Sequence, residues 1–221
     1  MITTGSTAFN LDLGDLIEEA FERCGAEARS GYDFRTARRS LNLLLAEWAN
    51  RGINLWTIDS GAIPMVQGVS AYQLPLDTVD LLDHVVRTGV GVNQMDITIS
   101  RISESTYSTI PTKNSTGRPI QVWINRQSGA TTPTGVQYPT INVWHVPDQS
   151  NYYTFVYWRL RRLQDAGDAV NAQDIPFRMI GALVAGLAFY LSQKLPGVDP
   201  QRVVGLKSEY QEQLQLAEDE D

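Results

Sequence analysis

Hydrophobic residues recur at helical spacing in the first fifty residues of the chain. The first such stretch contains Leu13, Leu16, Ile17, Ala20, Phe21 and Cys24. Asn10 and Asp12 precede it as N-cap candidates, and Gly25 follows it as a helix stop. The second stretch begins near Asp33, ends at Gly52 and contains Phe34, Ala37, Leu41, Leu44, Leu45 and Trp48. The pattern predicts two amphipathic helices, each with one apolar face.

From Leu55 to about residue 172 the hydrophobic period changes toward alternation, and the chain becomes rich in Thr, Val, Ile, Gly and Pro. This change is typical of β-structure. The predicted strands are residues 56–64, 71–74, 80–88, 96–99, 120–126, 140–146 and 153–162. Gly and Asn at residues 90–94 predict a hairpin turn, because both tolerate a positive φ. A short helix is predicted at residues 103–109, with Ser103 as its cap.

Helical signals return at Asp174, which we interpret as a cap before Pro176 in the first turn of a helix over residues 177–195. Residues 179–191 are apolar around most of the helix circumference, which predicts burial on more than one face. Small residues that permit close backbone approach are Gly181, Ala182, Ala185, Gly186 and Ala188. Asp199 and Pro200 then predict the start of a last helix, whose apolar stripe is Val203, Leu206, Tyr210, Leu214 and Ala217.

These patterns predict an α+β fold in which the two ends of the chain form a helical bundle around an inserted antiparallel β domain. The helical body is assigned to residues 1–55 and 173–221, and the β insertion to residues 56–172. A chain of 221 residues is long enough for one domain with a large insertion or for two small domains. This length leaves little room for two independently folded enzymatic domains.

Composition narrows the function classes. The hydrophobic share of 43% and the charged share of 19% are typical of a globular protein. A net charge of -7 repels nucleic acid and anionic membranes at long range. With Cys24 as its single cysteine, the chain cannot form an intrachain disulfide, which indicates folding in a reducing cytoplasm. We interpret Cys24 as a small buried side chain. Residues 1–9 lack the features of a signal peptide, and the apolar run at residues 179–191 is shorter than the about 20 residues of a membrane span. We therefore expect no membrane insertion.

Candidate catalytic residues are few. His84 and His145 lie in predicted strands without a carboxylate motif, so we interpret each as a strand residue with a hydrogen-bonded imidazole. Asp77, Asp80 and Asp83 form the nearest approach to a carboxylate cluster, but turn aspartates usually bond to their own backbone. The glycines of residues 89–91 lack the third glycine and the helix of a dinucleotide site. The sequence predicts no enzyme activity, no cofactor and no metal.

Two clusters allow a binding interpretation. Tyr152, Tyr153, Tyr157 and Trp158 could form a stacking platform for carbohydrate or single-stranded nucleic acid. Their alternation along one strand favours packing in a core or an interface. The basic clusters are Arg159, Arg161 and Arg162, with Arg35, Arg38 and Arg39. They are candidates for weak DNA contacts or for salt bridges within or between subunits, and salt bridges are favoured because non-specific DNA binding needs many cations acting together.

Residues 36–56 have the sequence TARRSLNLLLAEWANRGINLW. This segment resembles the second helix and its exit in head-to-tail adaptor proteins of short-tailed bacteriophages, the connector or tail tubular protein A-like family, and the likeness begins here. It continues in order through the VQGVSAYQLP element of residues 66–75, residues 102–110 and the Gly-Arg-Pro turn of residues 113–119. The strands at residues 138–147 and 152–163 and the terminal helix pair complete it.

The resemblance implies a structural virion protein without an active site. Such adaptors form rings, commonly dodecameric, which dock beneath the portal, extend the DNA channel used in ejection and present a platform for the tail nozzle or tube protein. The implied partners are further copies of the chain, the portal protein, the tail protein and double-stranded DNA that passes without sequence recognition. The implied location is the virion connector, assembled in the cytoplasm of the bacterial host.

Two sets of residues are predicted contact sites within such an assembly. Intersubunit packing is assigned to Met179, Leu183, Leu187 and Tyr190, because a helix that is apolar on several faces needs either a thick monomer or a neighbouring subunit. A portal-docking arm is assigned to Leu214, Glu218, Asp219, Glu220 and Asp221. A frayed, solvated helix end is the alternative for this arm. For the whole protein, the alternatives are another virion component, such as a tail-tube, collar or capsid-stabilising protein, or a carbohydrate-binding module.

Overall fold

The computed structural model describes residues 5, 9–53, 55–126, 131–132 and 135–219. It confirms the predicted α+β fold, and the chain divides into two compact units. The helical unit contains the chain up to Trp56 and again from Leu163 onward, and the β unit is formed by Thr57–Arg162. Each unit has its own hydrophobic core.

The helices of the described chain fall close to the predicted positions. They are α1 (Leu13–Cys24), α2 (Gly31–Arg51), α3 (Glu104–Thr109), α4 (Ile180–Ser192) and α5 (Pro200–Glu218). Short 3₁₀ turns are formed by Leu55–Thr57, Gly91–Asn93 and Phe177–Met179. The small helix α3 belongs to the β unit and is capped by Ser103 as predicted, because the Ser103 hydroxyl accepts a hydrogen bond from the Thr106 backbone N–H.

Local capping chemistry fixes the ends of the first two helices. The Asp12 carboxylate accepts a hydrogen bond from the Asp15 N–H at 2.9 Å, which confirms Asp12 as the cap of α1. Helix α2 begins two residues before the predicted Asp33, since Ser30 and Asp33 form a reciprocal capping box. Gly25 and Gly52 end the two helices in the left-handed conformation, at φ 73° and 86°.

Helix α4 lies at the centre of the helical unit. Helices α1, α2 and α5 all pack against it, so ten of its thirteen residues are buried. The Cys24 thiol at the end of α1 donates to the Ala188 carbonyl of α4 and is buried as predicted. Three helices of the same chain therefore cover α4, which corresponds to the first of the two solutions that its apolar pattern left open, a thick monomer.

The predicted cap of α4 is wrong, although helical structure does begin at Phe177 as predicted. Asp174 does not cap the helix, and the chain enters α4 through the 3₁₀ turn Phe177–Met179 without a side-chain cap. The Asp174 carboxylate instead accepts a hydrogen bond from the Gln164 N–H at 3.2 Å, and its carbonyl accepts one from the Trp56 indole at 2.9 Å. Asp174 therefore joins the connecting segments at residues 56 and 164 within the helical unit.

The β unit is a sandwich of two four-stranded sheets. Its strands, in chain order, are β1 (Ile58–Pro64), β2 (Ala71–Gln73), β3 (Thr78–Thr88), β4 (Met95–Thr98), β5 (Ser100–Ile102), β6 (Gln121–Asn125), β7 (Thr131–Thr132), β8 (Gly135–Val136), β9 (Thr140–Trp144) and β10 (Tyr153–Arg161). The first sheet has the order β1-β10-β3-β4 and the second the order β2-β9-β6-β5, while β7 and β8 form a small ribbon. Strands β5, β7 and β8 were not predicted.

Among the described strands of the β unit, pairing is antiparallel as expected except at β5. Strands β3 and β4 form a hairpin whose turn holds Gly91–Asn93, which confirms the predicted turn at residues 90–94. The exception is β5, which pairs in parallel with β6 over three residues, because the chain passes through α3 between them. The inner faces of the two sheets form the second core, in which Val86, Phe155, Val122 and Val143 are fully buried.

The segment that follows β10 packs with the helices. Leu163 and Ala166 are buried in the core of the helical unit, and the Ala166 N–H donates to the Asn42 side chain of α2 at 2.8 Å. Leu13 and Gly14 at the start of α1 donate backbone hydrogen bonds to Asn171 and Ala169. Residues 163–172, which the alternating pattern assigned to the β insertion, thus lie in the helical unit.

Candidate interaction surfaces

The two histidines lie in different parts of the β unit. His84, in β3, is buried and its ring stacks on Phe155 at 5.8 Å. Burial lowers the pKa of His84, so the ring is neutral at physiological pH. His145 follows directly after β9, and its Nδ1 lies 3.0 Å from the Ser115 hydroxyl. Within the described residues there is no cluster of potential ligands that could hold a metal ion.

The three aspartates at residues 77–83 have separate partners. Asp77 pairs with Arg159 at 2.6 Å, and Asp80 pairs with Arg101 at 2.8 Å. Asp80 and Asp83 also accept hydrogen bonds from the next backbone N–H along β3, as expected for backbone-bonded aspartates. Burial tends to raise the pKa of Asp77, but the Arg159 hydrogen bond and charge hold it below its usual value. The three carboxylates do not form an acid pair across a cleft.

The arginines at the end of β10 form ion pairs inside the β unit. Arg159 bridges Asp77 and Asp59, and Arg161 lies 3.1 Å from Asp59. Their side chains are only 11% and 13% exposed, and Arg159 also donates to the Thr78 hydroxyl. The Arg162 backbone N–H donates to the Asp77 carbonyl at 2.8 Å. With their guanidinium groups engaged by carboxylates, Arg159 and Arg161 have little capacity left for phosphate.

The aromatic segment at residues 152–158 divides between the two faces of its sheet. Tyr153, Phe155 and Tyr157 point inward and are buried in the sandwich core, as the alternation predicted. Tyr152 and Trp158 remain exposed. The four aromatic residues that suggested a stacking platform therefore do not share one surface.

Three of the residues assigned to intersubunit packing are fully buried inside one chain. Met179, Leu183 and Leu187 have no exposed surface, because α1, α2 and α5 enclose them. Tyr190, the fourth, is partly exposed and donates a hydrogen bond of 2.6 Å to Glu47 of α2. Of this set, only Tyr190 retains surface for a partner.

A groove of about 760 Å³ runs between α2, α4 and α5. We call it the α2–α5 groove, and it is lined by Leu43, Glu47, Arg51, Phe189, Tyr190, Gln193, Lys194, Lys207, Tyr210, Gln211, Leu214, Gln215 and Glu218. Glu47 binds both Tyr190 and Arg51, and the Trp48 indole donates to the Tyr210 hydroxyl. The groove brings Tyr190 together with Leu214 and Glu218 of the predicted docking arm.

The predicted docking arm belongs in part to the helical core. Helix α5 continues to Glu218, and Leu214 and Ala217 are buried in the helical core. Asp219 caps the helix through a backbone hydrogen bond to Gln215. Glu220 and Asp221 lie outside the described residues.

A second groove, of about 640 Å³, lies between α1 and the beginning of α4. We call it the α1–α4 groove, and it is lined by Phe9, Leu11, Asp15, Glu18, Glu19, Glu22, Arg23, Phe177, Arg178, Ile180, Gly181 and Val184. The sequence did not lead us to predict this groove. The acids at residues 15, 18 and 22 do recur at helical spacing on the outer side of α1, and this pattern indicates a charged surface there. The groove combines exposed aromatic rings with a row of carboxylates.

The described residues thus form two compact units, with two grooves on the helical unit and internal ion pairs in the β unit. In the described part of the chain, no helix has both the length and the apolar character needed to cross a membrane. The family model described as SU10 adaptor protein matches residues 11–221, so the chain belongs to the SU10 adaptor protein family. It is a structural bacteriophage protein of the adaptor class. The search of curated proteins found no match.

Proposed function

We propose that this chain is a head-to-tail adaptor that forms a ring between the portal and the tail of a bacteriophage and extends the DNA channel. The observation that carries this proposal is the adaptor family match over residues 11–221, which covers both units of the fold. The short-tailed connector type and the dodecameric ring follow the resemblance of residues 36–56 and of the elements after them. The tail nozzle or tube protein is the proposed partner on the tail side.

The charge distribution supports passage of DNA without binding. The net charge of -7 opposes accumulation of phosphate at the protein surface. Arg159 and Arg161, two of the cations first considered for DNA contact, are held by Asp59 and Asp77. A channel that must release double-stranded DNA rapidly benefits from few attractive phosphate contacts, since each one adds drag.

The carboxyl-terminal end of α5 is the proposed contact with the portal. Leu214 and Ala217 anchor the helix in the core, so Glu218 and Asp219 lie at its fixed carboxyl-terminal end. Residues 218–221 are Glu, Asp, Glu and Asp. Such a run of carboxylates suits a basic surface on the partner, because opposite charges steer association and fix its register.

Native mass spectrometry of the chain alone and mixed with its cognate portal protein tests the proposal. We expect a ring that forms on the portal, and electron microscopy of the mixture should show it beneath the portal with the channel continued. A chain ending at Glu218 keeps Ala217 and should melt like the full chain, but should bind the portal about tenfold more weakly. A chain that stays monomeric beside its portal would contradict the proposal. A ring located elsewhere in the virion would favour a tail-tube, collar or capsid-stabilising role.

A further inference from the structure

The α1–α4 groove exposes two large aromatic rings. Phe9 and Phe177 are 63% and 67% exposed, and they meet edge to face with ring centroids 6.1 Å apart. Leu11, Ile180 and Val184 form the apolar floor beside them. Paired, exposed aromatic rings beside an apolar floor are typical of an interaction surface, where aromatic residues contribute most of the binding energy.

The outer side of this groove carries unpaired negative charge. Asp15, Glu18 and Glu22 follow one another at intervals of three and four residues, so they lie along one stripe of α1. All three are exposed, and none forms an ion pair with another residue in the described part of the chain. A partner for this groove should therefore combine apolar side chains with cations.

The outer face of α2 has that composition. Tyr32 and Leu43 are 66% and 54% exposed, and Arg35 and Arg39 lie between them on the same stripe at intervals of three and four residues. In the described part of the chain, Arg35 donates only to the Gly31 carbonyl of its own helix, and Arg39 has no ion pair. We call this stripe the α2 outer face.

The two surfaces match in spacing as well as in charge. Glu18 and Glu22 are four residues apart, as are Arg35 and Arg39, so each pair spans about 6 Å along its helix. Because α1 and α2 both pack on α4, every copy of the chain presents both surfaces on one rigid unit. A contact between two different surfaces of identical chains is head-to-tail, and such contacts close into rings when the rotation between copies allows it.

We propose that the α1–α4 groove of one copy binds the α2 outer face of a second copy, with Glu18 and Glu22 facing Arg35 and Arg39. This inference rests on the proposed function, since it names the contact between neighbouring subunits of the ring. A second copy fits better than nucleic acid as the partner of the α2 outer face, because the chain has a net charge of -7 and itself supplies the matching carboxylates.

Charge reversal on each surface tests the contact. One variant carries Glu18→Lys and Glu22→Lys, and the other carries Arg35→Glu and Arg39→Glu. Each variant alone should form about tenfold less ring than the wild type, since like charges then face each other in every contact. An equimolar mixture should recover assembly as alternating rings, because each variant has the surface that complements the other. Native mass spectrometry reads both results, since the two chains differ in mass.

The matched control reverses two exposed acids outside both surfaces, Glu104→Lys with Glu212→Lys, and should assemble like the wild type. Circular dichroism checks that all variants stay folded, and recovery on mixing cannot come from a misfolded chain. This interface alone would be overturned if the wild type forms rings and both reversed variants assemble normally. It would also be overturned if the mixed variants are folded but do not regain ring assembly. A wild type that forms no ring with its portal contradicts the proposed function itself.

Discussion

At the scale of single residues, the two arginine clusters show what a sequence can and cannot predict. Both clusters are short groups of arginines in the sequence. For each cluster, DNA contact and salt bridges were both possible interpretations. Arg159 is paired because the fold brings Asp59 and Asp77, about 100 and 82 residues away in sequence, to the end of β10. Among the residues that the structure describes, no carboxylate pairs with Arg39. The sequence shows where the arginines are, but not which carboxylates pair with them. Those partners depend on strand register, which the hydrophobic pattern did not predict.

The Tyr190–Glu47 hydrogen bond gives a residue-scale prediction with a defined pH dependence. Burial, together with the hydrogen bond and negative charge of Glu47, raises the pKa of Tyr190 to about 12. A raised pKa means that the folded chain holds the proton more tightly than the unfolded chain does. The stabilisation is therefore complete below the unfolded pKa of about 10 and is lost as the pH rises through about 12.

We expect Tyr190→Phe to lower the free energy of unfolding by about 1 to 2 kcal/mol near neutral pH, because Glu47 loses a hydrogen-bond donor. The difference from the wild type should shrink as the pH rises from about 10 to about 12, because Tyr190 ionises first in the unfolded chain and this favours unfolding. Urea unfolding followed by circular dichroism at several pH values measures this difference. Tyr32→Phe, at an exposed tyrosine, is the control and should show no difference. A Tyr190→Phe effect that stays constant from neutral to alkaline pH would contradict the assignment.

At the scale of elements, α4 was predicted correctly as a buried helix, but what covers it was not. Its apolar circumference required contacts on several sides, and a neighbouring subunit was the expected solution. The structure supplies α1, α2 and α5 instead. Periodicity reports how much of a helix is buried, whereas the identity of its neighbours depends on long-range packing. The small residues of α4 were the better guide, since they allow three helices to approach it within one chain.

Gly186 gives the element-scale prediction. A Cβ atom at this position would lie 2.8 Å from a Leu44 methyl group and 2.9 Å from the Tyr210 ring. We expect Gly186→Val to lower the free energy of unfolding by about 1 to 3 kcal/mol, because its methyl groups force α2 and α5 away from α4. Gly205→Val in α5 is the matched control, since nothing lies within 4 Å of a Cβ there. Thermal melts of both variants measure the effect, and equal melting temperatures would show that close packing at Gly186 is unimportant.

At the scale of the whole molecule, the chain contains two cores that share no residue. The insertion point explains how both can exist in one chain. Ile58 at the start of β1 pairs with Leu160 near the end of β10, so the β unit begins and ends at adjacent positions. Paired residues on antiparallel strands lie about 5 Å apart, which means that a short connection could replace the whole insertion. The sequence predicted this organisation because the hydrophobic period changes near residue 55 and returns to helical after the last long strand.

We therefore expect Thr57–Arg162 to fold alone and to show the circular dichroism of a β protein with a cooperative thermal transition. The complementary chain, in which a linker of about four Gly and Ser residues joins Trp56 to Leu163, should keep the helical spectrum, because the helical core stays complete. Nuclear magnetic resonance spectra of both pieces measure whether each has a fixed core. The helical piece also carries both surfaces proposed for the ring contact, so it should still form rings on the portal. If either piece has collapsed chemical-shift dispersion while the intact chain is well folded, the two cores depend on each other, and the insertion is then a structural part of the adaptor body.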